Sequence, residues 1–90
     1  MTRETRTTVR MEVLLFGPQA ALAKVRALSI EVVPGETTCA DALRELGEAC
    51  EFLRDSLPAS RLAVNHALVD ADVVLRGDEA LALIGMVGGG

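Results

Sequence analysis

Cys39, Leu43, Leu46, Cys50, Leu53 and Leu57 recur at steps of four, three, four, three and four. That spacing lines up one side of a helix and puts Arg44, Glu45, Glu48 and Glu51 away from it. Thr38 is a good N-cap, and Asp41 stands three residues on, where a capping box prefers Glu or Gln. Gly47 interrupts the stripe and is expected to end a first helix, with a second short helix running to Leu57 and Pro58 closing the segment. No other stretch of the chain reads as a long helix. A sheet in this protein must therefore pack on this stripe, and only one of its faces can be well covered.

The strands are legible by alternation. Val9 to Phe16 sets Val9, Met11, Val13 and Leu15 on one side and Arg10, Glu12, Leu14 and Phe16 on the other. Gly17-Pro18 stops it, and Gln19 to Val25 is compatible with a short helix. In Ala27 to Val33, Leu28, Ile30 and Val32 face one way before Pro34-Gly35 turns the chain. Arg61 to Asn65 is a short strand with Leu62 and Val64 inward. Asn65-His66 reads as a turn or bulge, with His66 a loop residue. Val69 to Leu75 is strand-like but irregular, its Asp70 and Asp72 reading as solvated charges. Gly77 supplies the positive φ of a turn over Arg76 to Glu79.

The final strand, Ala80 to Met86, is apolar on both sides. Such a strand is either central in a covered sheet or exposes an adhesive face. Leu81 and Leu83 are expected in the core. Ile84 and Met86 are expected on a docking surface that Leu14 and Phe16 extend. The chain then reads Val87-Gly88-Gly89-Gly90. Glycine reaches backbone conformations barred to other residues and adds no side-chain bulk. Such a tail is thin enough to thread a terminal carboxylate into another protein's active site. Glycine-rich chain ends also arise where nothing selects them.

Composition narrows the classes. Ninety residues carrying 50% hydrophobic side chains suit one domain with an aliphatic core, since Phe16 and Phe52 are the only aromatics. The net charge of −4 and the absence of a basic patch argue against nucleic acid. No apolar run approaches the ~20 residues of a membrane-spanning helix, and Met1 to Arg10 lacks the apolar centre of a signal peptide. A cytoplasmic protein with no membrane partner is expected. Cys39 and Cys50 on one continuous helix would lie about 16 Å apart, too far for a disulfide. With His66 the only histidine, they also fit no usual zinc pattern, so no metal is expected. Both are expected as buried free thiols. Residues 1–8 read as a disordered lead-in, 9–87 as the domain and 88–90 as a flexible tail.

The order strand, strand, helix, strand, strand-like stretch, strand is an α+β pattern, a mixed sheet on one main helix. With it go Leu15-Phe16, Thr38-Cys39-Ala40-Asp41, Ala63-Val64-Asn65, Gly77-Asp78-Glu79-Ala80 and the closing Gly89-Gly90. In these the chain resembles the MoaD/ThiS-like sulfur carriers, which have the ubiquitin-like β-grasp fold, and most closely the small subunits of molybdopterin synthase. It departs from that branch's usual Pro-Pro-Val-Ser/Thr-Gly-Gly ending, reading Gly85-Met86-Val87-Gly88-Gly89-Gly90 instead.

The resemblance implies a carrier with no acid, base or metal ligand of its own, a sulfur-donating subunit of a transferase. A ubiquitin-activating-type enzyme would spend ATP to adenylate Gly90. A sulfur donor would then leave a thiocarboxylate there, for dithiolene formation in molybdenum cofactor biosynthesis. The implied partners are that activating enzyme, the sulfur donor and the large catalytic subunit of molybdopterin synthase; no cofactor is bound by this chain. Gly88 and Gly89 would position the tail, and Phe16, Ile84, Met86 and Val87 would dock the partner. Thiazole sulfur delivery for thiamin, a protein modifier joined through Gly90 to lysine, and an inert β-grasp interaction module are the alternatives.

Overall fold

A computed structural model of the chain describes residues 7–85. Residues 1–6 and 86–90, which hold most of the expected lead-in, Met86, Val87 and the expected tail, lie outside the described residues.

The elements run β1 (Val9–Leu15), α1 (Gly17–Ala23), β2 (Ala27–Val32), α2 (Cys39–Ala49), a 3-10 segment (Glu51–Ala59), β3 (Ser60–Val64), β4 (Ala67–Leu68) and β5 (Leu81–Gly85). The sheet order is β2-β1-β5-β3-β4. β1 pairs with β2 antiparallel, with Met11 opposite Ile30, and with β5 parallel, with Val13 opposite Leu81. β5 also runs antiparallel to β3, with Leu62 opposite Leu83. The last strand is thus central in a mixed sheet, as a β-grasp requires.

Most inward side chains of the alternation reach the core, and Val9, Leu28 and Val64 pack against it half-buried. Met11, Val13 and Leu15 meet Ile30 and Val32 there, together with Leu62, Leu81 and Leu83. Cys39, Ala42, Leu46 and Leu53 cover them from the helical side, and Leu75 comes in from the long loop before β5.

α1 follows β1 at once: Gly17 takes φ +53° and Pro18 stands in the first turn, where its missing N–H costs nothing. Lys24 ends the helix in the left-handed region, its N–H donating to the Ala20 carbonyl at 2.8 Å. At α2 the capping box is complete with Asp in place of Glu. The Asp41 N–H donates to Thr38 Oγ1 and the Thr38 N–H to Asp41 Oδ2, both at 3.1 Å. The loop after β4 caps the same helix end, since Cys39 and Ala40 donate their N–H groups to the carbonyls of Val73 and Ala71.

Four expectations need correction. Gly47 does not end the helix: α2 continues to Ala49, and Gly47 is buried inside it. A Cβ there would sit 3.0 Å from Leu57 Cδ1 and 3.3 Å from Arg54 Cγ. The glycine marks where the 3-10 segment folds back against α2, not a break. Pro58 lies within that 3-10 segment, which runs on to Ala59. Cys39 is buried, but Cys50, at the turn where α2 gives way, is only half-buried. Val69 to Leu75 is not a strand; it makes a single bridge, Thr38 to Val74, and its role is to cap α2 and seat Leu75.

Asn65 and His66 have φ of +52° and +72°. Two successive positive φ values are the signature of the tight primed turn that suits a two-residue hairpin loop, here between β3 and β4. The Asn65 side chain accepts from the Ala80 N–H at 2.9 Å, while its own N–H donates to the Ala80 carbonyl at 2.8 Å. The hairpin tip is thereby tied to the start of β5.

Candidate functional site

The outward residues of the three central strands make the site. Register puts Leu14 opposite Ala82, Ala82 opposite Ala63, and Ala63 opposite Leu68. Two alanines thus form the floor of a saddle whose walls are leucines. Phe16 continues the alternation of β1 in an extended conformation, and Ile84 continues that of β5. Together these side chains border a cavity of about 370 Å³, with His66 at its edge. Phe16 is 52% exposed, Leu14 46% and Leu68 44%, and among the described residues no helical side chain lines this cavity. The opposite end of the same face is charged, with Glu12 and the Arg10–Glu31 pair at 3.7 Å.

The parallel pairing of β1 and β5 fixes where the apolar half lies. Leu15 is level with Leu83, so Phe16 and Ile84 share the end of the sheet at which the chain leaves β5 toward Gly90. Of the residues expected to dock a partner, Phe16 and Ile84 border the same cavity. Gly88, Gly89, Gly90, Met86 and Val87 lie outside the described residues. Ala63 was legible as outward from the alternation of β3. Leu68 was not, because a two-residue strand carries no period.

Below the exit, on the covered side, lies a polar group that the sequence did not signal. Gln19, on α1, is only 5% exposed. Its Nε2 donates to Ser60 Oγ at 3.2 Å, and Ser60 Oγ donates to the Ser56 carbonyl at 2.7 Å. Ser60 is paired with Gly85 across β3 and β5, and a Cβ on Gly85 would fall 2.4 Å from Gln19 Nε2.

Three titratable groups are displaced from their ordinary values. Burial pushes the Cys39 thiol up, and the carboxylates of Glu79 and Asp72 add to it. The Asp41 carboxyl is held below its ordinary value, first by the Thr38 N–H and hydroxyl of the capping box, then by Arg44. Burial alone would raise Glu79, but the backbone N–H groups of Arg76 and Gly77, with those of Glu79 and Asp78, outweigh it and hold it low. Arg76 N–H and Gly77 N–H reach its carboxylate at 2.7 and 2.9 Å. Asp70 pairs with Arg61 at 3.1 Å. Among the described residues, no group of three or more His, Cys, Asp or Glu is placed to hold a metal ion, and no helix is long and apolar enough to cross a membrane.

The ThiS family model matches residues 13–90. The chain belongs to the ThiS family. Its members are small β-grasp proteins of the sulfur-carrier and ubiquitin-like modifier group. Solved structures agree with this family assignment. SAMP1 from Haloferax volcanii superposes with a TM-score of 0.76 at 26% identity, over 90% of this chain and 99% of that one. A putative molybdopterin converting factor, subunit 1, from Pyrococcus furiosus gives 0.72 at 23%, over 88% and 99%, and shares the fold. A complex of subunits 1 and 2 of molybdopterin-converting factor from Helicobacter pylori contains a chain matching at 0.60 and 25%, over 91% and 100%. No curated protein matches this ThiS-family chain.

Proposed function

We propose that this ThiS-family chain is the sulfur-carrying small subunit of a molybdopterin synthase, working in the cytoplasm and binding no cofactor of its own. The observation that carries the reading is the apolar face of Leu14, Phe16, Ala82 and Ile84. It lies at the end of the sheet from which the chain proceeds to Gly90. The Helicobacter pylori complex of subunits 1 and 2 supports a large-subunit partner for a chain of this kind.

The chemistry follows from the carboxylate. A carboxylate is a poor electrophile. An adenylating enzyme of the ubiquitin-activating type joins Gly90 to the α-phosphate of ATP, releasing pyrophosphate. A sulfur donor attacks the acyl carbon and expels AMP, leaving a thiocarboxylate. Its sulfur is the nucleophile that a large synthase subunit directs at a pterin carbon. This chain contributes placement, by docking a rigid face while a narrow tail carries the reactive atom.

The test moves the carboxylate without touching the core. One residue added after Gly90 shifts it by up to ~3.5 Å, and deletion of Gly90 retracts it by a similar step. Either change is expected to abolish thiocarboxylate formation with activating enzyme, ATP and sulfide, while the melting temperature holds. Gly89→Val is expected to fail as well, through bulk and restricted φ. Intact mass reads the product directly, as one sulfur in place of one oxygen. An extended chain that is sulfurated untrimmed would overturn the proposal. Sulfur passing to a thiazole precursor and not to a pterin would move the chain to the thiamin branch.

A second reading has its own support, the 26% identity with SAMP1, a small archaeal modifier protein. There Gly90 would form an isopeptide bond with lysine. Ladders of this chain on other proteins in its native cell, in place of thiocarboxylate, would select that reading.

A further inference from the structure

The two edges of the sheet are not alike. β4 is two residues long. The chain leaves it into a segment that Arg61 holds, its guanidinium donating to the Val69 carbonyl at 3.3 Å and pairing with Asp70 at 3.1 Å. Short length and nearby charge are common guards of a sheet edge. β2, the other edge, has six residues, Ala27–Val32. Its register against β1 runs one to one from Val9 opposite Val32 to Leu14 opposite Ala27, so no bulge interrupts it. The strand contains no proline and no lysine, and its one charge, Glu31, lies 3.7 Å from Arg10 on the neighbouring strand. Such a strand is a template for pairing with another.

The register also fixes which groups face outward. The Leu15 N–H donates to the Arg26 carbonyl at 2.8 Å, and Leu15 stands one step beyond the pair of Leu14 with Ala27. Hydrogen-bonded pairs alternate along an antiparallel ladder. Arg26, Leu28, Ile30 and Val32 therefore turn their main-chain groups to β1, and Ala27, Ser29 and Glu31 turn theirs away. An antiparallel copy of the same strand brings the same outward groups. With the pairing centred on Ser29, Ser29 meets Ser29, Ala27 meets Glu31 and Glu31 meets Ala27, each pair exchanging N–H···O bonds both ways. A slip of one residue would set inward groups against outward ones and put the wrong side chains on each face. Charge favours the same arrangement. Lys24 and Arg26 are exposed where the strand begins, and Glu31 is exposed near its end. Antiparallel pairing sets Arg26 of each copy opposite Val32 of the other, one residue from Glu31, at both ends of the contact.

We propose that β2 is a homodimerisation edge, where two copies pair antiparallel through Ala27, Ser29 and Glu31 about a two-fold axis at Ser29. The axis stands perpendicular to the sheet, so both helical layers fall on one side and both apolar faces on the other. Each copy keeps its surface of Leu14, Phe16 and Ile84 open, and the dimer presents two of them. The inference goes beyond the carrier reading and does not depend on it.

The test is the oligomeric state of the full chain by sedimentation equilibrium. An interface confined to one strand is small, so a species of twice the chain mass is expected to form at about 0.1–1 mM. Amide exchange is expected to slow at Ala27, Ser29 and Glu31 as concentration rises through that range. Ser29→Pro removes the central outward N–H and leaves the bonds to β1 intact. It is expected to raise the dimer Kd at least ~10-fold with the melting temperature of the dilute chain unchanged. If Ser29→Pro fails to fold, Ser29→Lys decides in its place. There two like charges stand directly opposed, and the Kd is expected to rise by a similar factor and to fall again with added salt. Ile84→Asp is expected to leave the dimer intact. A chain still monomeric at about 1 mM would overturn the proposal, as would a dimer indifferent to both Ser29 variants. Loss of the dimer in Ile84→Asp would also overturn it, by placing the second copy on the apolar face.

Discussion

β1 and β5 present two faces built from much the same apolar residues, and the two have opposite fates. On one, Val13 and Leu83 are fully buried under α2 and the 3-10 segment. On the other, Leu14 and Phe16 stand about half exposed beside Ala82 and Ile84. Burial of apolar area is the main force for folding, and the covered face already supplies it. The open face adds little to stability in the free chain and leaves apolar surface in water, which marks a contact surface. One face accounts for the fold, and the other is the face proposed to meet a partner.

The largest effect expected is a pair of substitutions on adjacent residues of β5. Leu83→Asp buries a charge with nothing to pair it, in a site where even truncation to Ala costs about 2–5 kcal/mol. Circular dichroism is expected to show an unfolded chain. Ile84→Asp, one residue on and facing outward, is expected to keep the fold with a melting temperature within a few degrees. Its affinity for the proposed partner subunit, by calorimetry, is expected to drop at least ~10-fold, as for loss of a central apolar anchor. Unfolding by Ile84→Asp would show that the second face is also core.

A smaller contrast sharpens the same division along α2. Cys39 is packed into the covered face and its thiol is pushed up by burial and by Glu79 and Asp72. The thiolate is the reactive form, so labelling at neutral pH is expected to be slow. Cys50 sits half-buried at the end of the helix and is expected to label first. Peptide mass mapping after brief alkylation distinguishes the two, and faster labelling of Cys39 would contradict the depth assigned to it.

The smallest effect is in the turns that hold the covered face. Asp41 and Glu79 both titrate below their unfolded values. A depressed carboxyl contributes stability that is present above its unfolded pKa and is lost as pH falls through the folded one. The melting temperature is therefore expected to decline from about pH 4 downward, near the ordinary carboxyl range. Asp41→Asn and Glu79→Gln should each flatten that decline while leaving the neutral-pH value lowered. An acid limb unchanged in both variants would remove these two caps from the account.

Much of this was legible in the chain itself. The inward rows of β1 and β2, the stripe of α2 and the division of β5 into Leu81–Leu83 and Ala82–Ile84 are periodic, and period is what sequence displays. Three features were not. Gly47 reads as a break because propensity is local, whereas its reason is Leu57, ten positions on. Cys50 obeys the helical spacing but falls where the helix stops, so spacing overstates its burial. Gln19 sits in a helix of seven residues, too short for a polar residue to stand out against a pattern, and its neighbours Ser60 and Gly85 come from strands far along the chain.

The central place of β5 has a consequence for synthesis. It is the last strand among the described residues, yet it joins what would otherwise be two separate pieces, the β1–β2 ribbon and the β3–β4 hairpin. Until Leu81 to Gly85 has emerged from the ribosome, neither piece can close its half of the core. Pairing of Val13 with Leu81 closes a loop of nearly the entire domain, the slow kind of contact in folding. The nascent domain therefore stays open until its final stretch is free. A chain cut short before β5 has no finished outer face, so the proposed docking would itself screen for chains that were made to the end of the sheet.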